Sequence, residues 1–163
     1  MSENNTEGGI TVEVEGRILL MGINRPSKMN GFTPEMIDDL TDAYTRLDDD
    51  PELWCGVLFA HGDHFTAGLD LPKFRERMQK GERGRGKGKV DPTALGRKCM
   101  KPIVSAVKGV TYTLGIELML AGDIVIAADN CRFSQLEPLR GIHATGGATI
   151  RFVQRCGWGN AMY

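Results

Sequence analysis

The feature that most constrains this chain is its alternation of short apolar runs with stretches of helical periodicity. ITVEVEG (10–16) alternates apolar and polar residues like a strand at a sheet edge, and RILLMGIN (17–24) reads as a more buried strand after it. Gly16 between them suits a tight hairpin. A loop follows over NRPSKMNGF (24–32), punctuated by Pro26 and Gly31. Thr33 then reads as an N-cap, with Pro34 at the first helical position. Met36, Ile37, Leu40, Ala43, Tyr44 and Leu47 recur at helical spacing, which predicts an amphipathic helix over 34–48. WCGVLFA (54–60), KPIVSAV (101–107) and DIVIAA (123–128) have strand character. LGIELMLAG (114–122) predicts a helix of about two turns, and GGATIRFVQRCG (146–157) opens a last one. Strands alternating with helices specify an α/β domain with parallel pairing.

The 163 residues are enough for one domain with a sizeable core. A net charge of -1 argues against nucleic acid as the main partner. The charge is unevenly spread: Asp38, Asp39, Asp42, Asp48, Asp49, Asp50 and Glu52 make the early part acidic, while residues 73–89 are strongly basic. That basic run, KFRERMQKGERGRGKGK, reads as a solvated, mobile loop. It has no aromatic interleaving for RNA and no GK followed by Ser or Thr for a phosphate loop. MSENNTEGG lacks the basic and apolar parts of a secretory signal, so residues 1–9 read as a disordered leader before a domain over 10–163. No apolar run is long enough to cross a membrane. Cys55, Cys99, Cys131 and Cys156 form no CxxC pair and no ligand set with histidine, so no metal is expected and reduced thiols point to the cytoplasm.

Glu117 is the conspicuous residue. Ile116, Leu118, Met119 and Leu120 surround it, and no cation lies between Lys108 and Arg132. A carboxylate in apolar surroundings must be paired, protonated or used. It falls in the first turn of a helix beginning near Gly115, where unpaired N–H groups carry the positive end of the helix dipole. A capping carboxylate is the plain alternative there. In HFTAGLDL, the small residues Thr66, Ala67 and Gly68 permit close approach of main chain to a ligand, although a simple glycine turn explains them equally. Glu137, twenty residues after Glu117, reads either as its partner in acid–base chemistry or as an ion pair with Arg132 or Arg140. Spacing alone favours the ion pair.

In this order and spacing, NRPSKMNGF, FTAGLDL, KPIVSAVKG, LGIELMLAGDIVIAAD and RFSQLEPLRGI resemble the crotonase superfamily, the enoyl-CoA hydratase/isomerase fold. The match spans nearly all of the chain from residue 10 onward. The resemblance implies a crotonase-like spiral of ββα units that binds an acyl-CoA and polarises its thioester carbonyl with two main-chain N–H groups. Those donors fall on Leu69 and Leu114. Glu117 and Glu137 match the two glutamates with which the family's hydratases add water across the C2=C3 bond of a 2-enoyl-CoA. The implied activity is a hydro-lyase of fatty acid metabolism, with no cofactor beyond the coenzyme A of its substrate. Ser27, Lys28 and Met29, with Ala67, Gly68, Asp70 and Leu71, are the implied CoA-binding positions. A homotrimer or a dimer of trimers is implied for a full-length chain, with neither nucleic acid nor membrane as partner.

Three features depart from the family pattern. Thr113-Leu114-Gly115 stands where a glycine triplet is usual, with bulky Tyr112 before it, and is expected to narrow the acyl pocket. GIHATGG carries His143 and lacks the proline usual in that loop. The family's C-terminal helical region is missing, so the chain is expected to be a truncated core. Two further readings stay open: another reaction of the family (isomerase, decarboxylase or thioester hydrolase), or a non-catalytic acyl-CoA-binding subunit.

Overall fold

The N-terminal hairpin forms as its alternation predicts. β1 (Gly9–Glu15) runs antiparallel to β2 (Ile18–Asn24), with Gly9 opposite Asn24 and Glu15 opposite Ile18. The computed structural model describes residues 8–80 and 88–162. Most of the expected leader, residues 1–7, lies outside the described residues, and β1 takes in Gly9.

β2 pairs in parallel with β3 (Cys55–Ala60), β3 with β4 (Ile103–Val107), and β4 with β6 (Ile124–Ala127), giving the sheet order β1-β2-β3-β4-β6. Leu19, Met21, Ile23 and Leu58 point inward and are wholly buried. Helix α1 (Pro34–Asp49) buries Met36, Leu40, Ala43, Tyr44 and Leu47, the stripe its sequence spacing marks out. Thr33 caps it, its hydroxyl accepting from Met36 N at 3.3 Å, and Pro34 at N1 lacks only an N–H that would have had no helical partner.

Periodicity gave no sign of the second, smaller layer of strands that the ββα resemblance implies. β5 (Val110–Tyr112) pairs in parallel with β7 (Arg132–Ser134). Single parallel bridges, Phe32 with Leu69 and Thr66 with Thr111, extend the same layer backward. Each pass of the chain therefore goes through the main sheet, then the small layer, then a helix: β2, Phe32, α1; β3, Thr66–Leu69, α2 (Leu71–Lys80); β4, β5, α3 (Leu114–Ala121); β6, β7, α4 (Ala148–Met162). This is the crotonase-like spiral of ββα units. α4 is broken at Gly157, whose φ of 76° is not helical.

The expectation of a loop over the basic run is corrected in part, because its first eight residues, 73–80, lie in α2. Lys, Arg, Glu, Gln and Met are good helix formers, and the glycines come only after Lys80. Residues 81–87, on which the rest of that expectation falls, lie outside the described residues. Beyond them the basic and acidic segments meet: Lys89 pairs with Asp42, and Arg97 reaches Asp48 at 2.7 Å and Asp49. The pairs with Asp42 and Asp49 are exposed on both sides and contribute little each, whereas the Asp48 side chain is largely buried. No helix among the described residues is long and apolar enough to cross a membrane.

Candidate active site

The spiral delivers one piece of the site from each turn. The first piece is the Arg25–Gly31 loop. Asn30 closes it, its side-chain oxygen accepting from Arg25 N at 2.7 Å while its amide nitrogen donates to the His61 and His64 carbonyls at 2.9 and 2.7 Å. Ser27 and Lys28 sit exposed in a short 3-10 turn, with Met29 beside them.

The second piece, Thr66–Leu71, is zipped to the first. Ala67 N donates to Met29 O (2.9 Å), Phe32 N to Gly68 O (2.8 Å), and Asp70 N to Phe32 O (2.9 Å). The two sequence segments expected to hold CoA thus lie side by side. Asp70 faces inward: its Oδ2 accepts from Arg25 Nη1 at 2.8 Å, and the same nitrogen donates to Gly31 O at 2.9 Å. Arg25 is buried and Asp70 partly so. Arg25 and Asn30 are the residues that sequence reasoning missed here. Their only sequence signal was a polar pair inside a loop. We expect Arg25→Ala to destabilise the fold by about 3 kcal/mol, because it leaves a mostly buried carboxylate unpaired. Urea unfolding of the variant against the parent chain measures this.

The zipped geometry leaves Leu69 N–H without an acceptor among the described residues, since Phe32 bonds to its two neighbours instead. Leu114 opens α3, and its N–H likewise finds no acceptor among the described residues. The residues immediately before the two leucines touch: a Cβ built on Gly68 would lie 1.9 Å from Thr113 Oγ1. Gly68 holds a φ of +104°, and Thr113 holds +48° in place of the expected glycine. Two N–H groups without an acceptor among the described residues therefore lie on neighbouring turns.

Seven of the eight residues of α3 are buried, and Glu117 is the one charged group among them. The plain capping role is not what the structure shows. Instead the carboxylate reaches across to the turn before α4, where Oε1 accepts a short hydrogen bond from Gly146 N. Gly146 allows this approach because a Cβ there would lie 2.4 Å from Glu117 Oε2. Glu137 begins a 3-10 turn after β7 and is also buried. The ion pair with Arg132 or Arg140 does not form among the described residues. With its nitrogen toward Glu137, the Gln135 amide donates to the two carboxylate oxygens at 2.7 and 3.0 Å.

Burial pushes the Glu117 carboxyl above the ordinary glutamate range, and the nearby Glu137 adds to the rise. The N–H groups of Gly146 and Ala148 and the Arg151 guanidinium oppose it without cancelling it. A carboxyl whose pKa rises on folding favours the folded state below its unfolded value of about 4.3, and that contribution is lost as pH climbs through the raised value. Relative to Glu117→Gln, which cannot titrate, the parent chain should therefore lose melting temperature as pH rises through that window. A constant difference in Tm between the two across pH 4–8 would contradict this.

The histidines do not join the two carboxylates. His61 Nε2 lies 2.9 Å from Thr11 Oγ1, His64 Nδ1 accepts from Val110 N at 3.3 Å, and His143 is exposed.

Comparison with known proteins agrees with the spiral. Residues 13–163 match the family model described as enoyl-CoA hydratase/isomerase. The chain is 30% identical over 148 residues to enoyl-CoA hydratase EchA19 of Mycobacterium tuberculosis, covering 88% of this chain and 55% of that protein. It is 32% identical over 160 residues to crotonyl-CoA hydratase of Syntrophomonas wolfei, covering 93% and 59% respectively. A crystal structure of a probable enoyl-CoA hydratase/isomerase from Mycobacterium abscessus superposes with a TM-score of 0.89 at 44% identity, covering 94% of this chain and 60% of that one. The chain thus spans a little over half the length of these relatives.

Proposed function

The chain belongs to the enoyl-CoA hydratase/isomerase family, and from that premise we propose that it takes part in adding water across the C2=C3 bond of a 2-enoyl-CoA. The observation that carries this reading is the pair of buried carboxylates, Glu117 and Glu137, close enough to raise the pKa of Glu117. Two carboxyls in unlike surroundings can divide the acid and base roles between them. One takes a proton from the water attacking C3, and the protonated partner delivers a proton to C2. The N–H groups of Leu69 and Leu114 receive the thioester oxygen as it gains enolate charge. They are main-chain donors, so leucine serves at either place. Ser27–Met29 and the Ala67–Leu71 strip line the path proposed for the CoA moiety, with Asp70 serving as a strut through Arg25.

The test is loss of enoyl-thioester absorbance when the chain meets crotonyl-CoA, with a longer 2-enoyl-CoA in parallel. Rapid loss supports hydration. Binding of acyl-CoA without loss of absorbance moves the assignment to another reaction of the family or to a binding subunit. The proposal includes a place in the cytoplasm and, for a chain as long as those relatives, self-association as a trimer or dimer of trimers. Sedimentation of a chain of that length at micromolar concentration is expected to give a mass above that of its monomer, and a monomer at every concentration contradicts it.

A further inference from the structure

Gly146 makes two main-chain contacts of opposite kind. Its N–H donates to Glu117 Oε1, while its carbonyl accepts from Arg151 Nη1 at 2.8 Å. Arg151 lies one turn into α4, and its own N donates to Gly147 O at 3.0 Å. Its other terminal nitrogen crosses to a distant loop, donating to Thr93 O at 2.6 Å and Ala94 O at 3.3 Å. That loop is itself tied down. Asp91 Oδ1 accepts from Thr93 N and Oγ1 at 3.0 and 2.8 Å, and Oδ2 from Leu95 N and Gly96 N at 3.1 and 2.9 Å. Val90 N then donates to Thr45 Oγ1 of α1 at 3.0 Å.

We propose that Arg151 is the positioning residue for Glu117: by gripping the Gly146, Thr93 and Ala94 carbonyls, it fixes the turn that seats the Glu117 carboxylate. The inference rests on the hydratase reading for its consequence in catalysis, but not for its geometry. A strut that served only to hold α4 would not need to end on the residue whose N–H donates the short hydrogen bond to Glu117 Oε1. The seat also admits no side chain. A Cβ on Gly146 would meet Glu117, and one on Gly147, where φ is +97°, would lie 2.4 Å from Arg151 Nη1. A planar guanidinium spanning three carbonyls on two segments is a task that lysine, a single point of charge, does not reproduce. The charged groups facing Glu117 are Glu137 from the turn after β7 and Arg151 from α4. Loss of the guanidinium therefore removes both a geometric restraint and the cation that opposes neutralisation of Glu117.

The experiment compares Arg151→Gln and Arg151→Lys with the parent chain in two readouts. The first is kcat and KM for crotonyl-CoA across pH. The second is the titration of the Glu117 carboxyl by infrared difference spectroscopy, assigned with Glu117→Gln. Displacing a reacting group by an ångström costs about 10²-fold, so Arg151→Gln is expected to lose about that factor in kcat with KM little changed. Its Glu117 should titrate at higher pH than in the parent, carrying the dependent limb of the rate profile with it. Arg151→Lys, which keeps the charge, should lose part of kcat while Glu117 titrates near its parental value. Parental kcat and parental Glu117 titration in folded Arg151→Gln would overturn the proposal, as would a change confined to KM. If the parent chain does not hydrate crotonyl-CoA, the hydratase reading fails by itself. The Arg151 inference is then judged on the titration, and a Glu117 value unmoved in Arg151→Gln overturns it. Should Arg151→Gln not fold, undiminished kcat in Arg151→Lys overturns it.

Discussion

Glu117→Gln and Glu137→Gln are each expected to lower hydration of a 2-enoyl-CoA by roughly 10²–10⁴-fold, the usual contribution of a positioned acid or base. Glutamine keeps the volume and an accepting oxygen. In Glu117→Gln it can still accept from Gly146 N, so the loss isolates the proton. The fall should appear in kcat, with acyl-CoA affinity retained. Double replacement should cost little more than the worse single one, because the two groups act on one water. Full activity in either single variant would sink the two-carboxylate mechanism and leave a single-carboxylate reaction of the family. The elevated pKa of Glu117 makes this test informative, since its cause is burial and Glu137, both intrinsic to the proposed pair.

Gly68→Ala is expected to lower hydration by about 10²–10³-fold, the loss typical when one oxyanion donor is displaced. Two causes act together. The residue holds φ at +104°, where L side chains are strained, and its new Cβ would lie 1.9 Å from Thr113 Oγ1 and 3.3 Å from Thr113 Cβ. Rotation of the Thr113 side chain relieves the hydroxyl contact but not the φ strain or the close Thr113 Cβ, and relief of those moves the Gly68–Leu69 turn away from Thr113–Leu114, separating the Leu69 and Leu114 N–H groups. The same strain should cost about 1–3 kcal/mol of stability. Adding Thr113→Gly removes the clash but not the φ requirement, so the double variant should recover only part of the activity. Parental rates in Gly68→Ala would show that the Leu69 N–H does not bind the thioester oxygen.

Much of the fold was legible because it rests on local pattern. The stripe Met36, Leu40, Ala43, Tyr44 and Leu47 lies within one helix, and its burial follows from residues three and four apart sharing a face. The β1–β2 hairpin follows from alternation and a glycine turn. α2 was missed because its glycine-rich continuation made the whole basic run look like a loop, although its own residues favour a helix. The small layer, implied by the resemblance alone, left no mark on the periodicity. Three-residue strands such as Val110–Tyr112, and single bridges such as Thr66 with Thr111, are too short to show a period.

The candidate site divides along the same line. The sequence by itself determined that Glu117 must occupy apolar surroundings, that glycine punctuates the turn at Gly68, and that the motifs follow in crotonase order. Only the tertiary structure decided what each group meets. Glu137 turned to Gln135 rather than to Arg132 or Arg140, and Asp70 turned inward to Arg25. Glu117 found its donor twenty-nine residues away at Gly146, and Arg151 found its carbonyls fifty-eight and fifty-seven residues away at Thr93 and Ala94. The physical reason is range. Periodicity and capping are settled by neighbours within a turn of chain, whereas the partner of a buried charge depends on which later passes of the spiral return beside it.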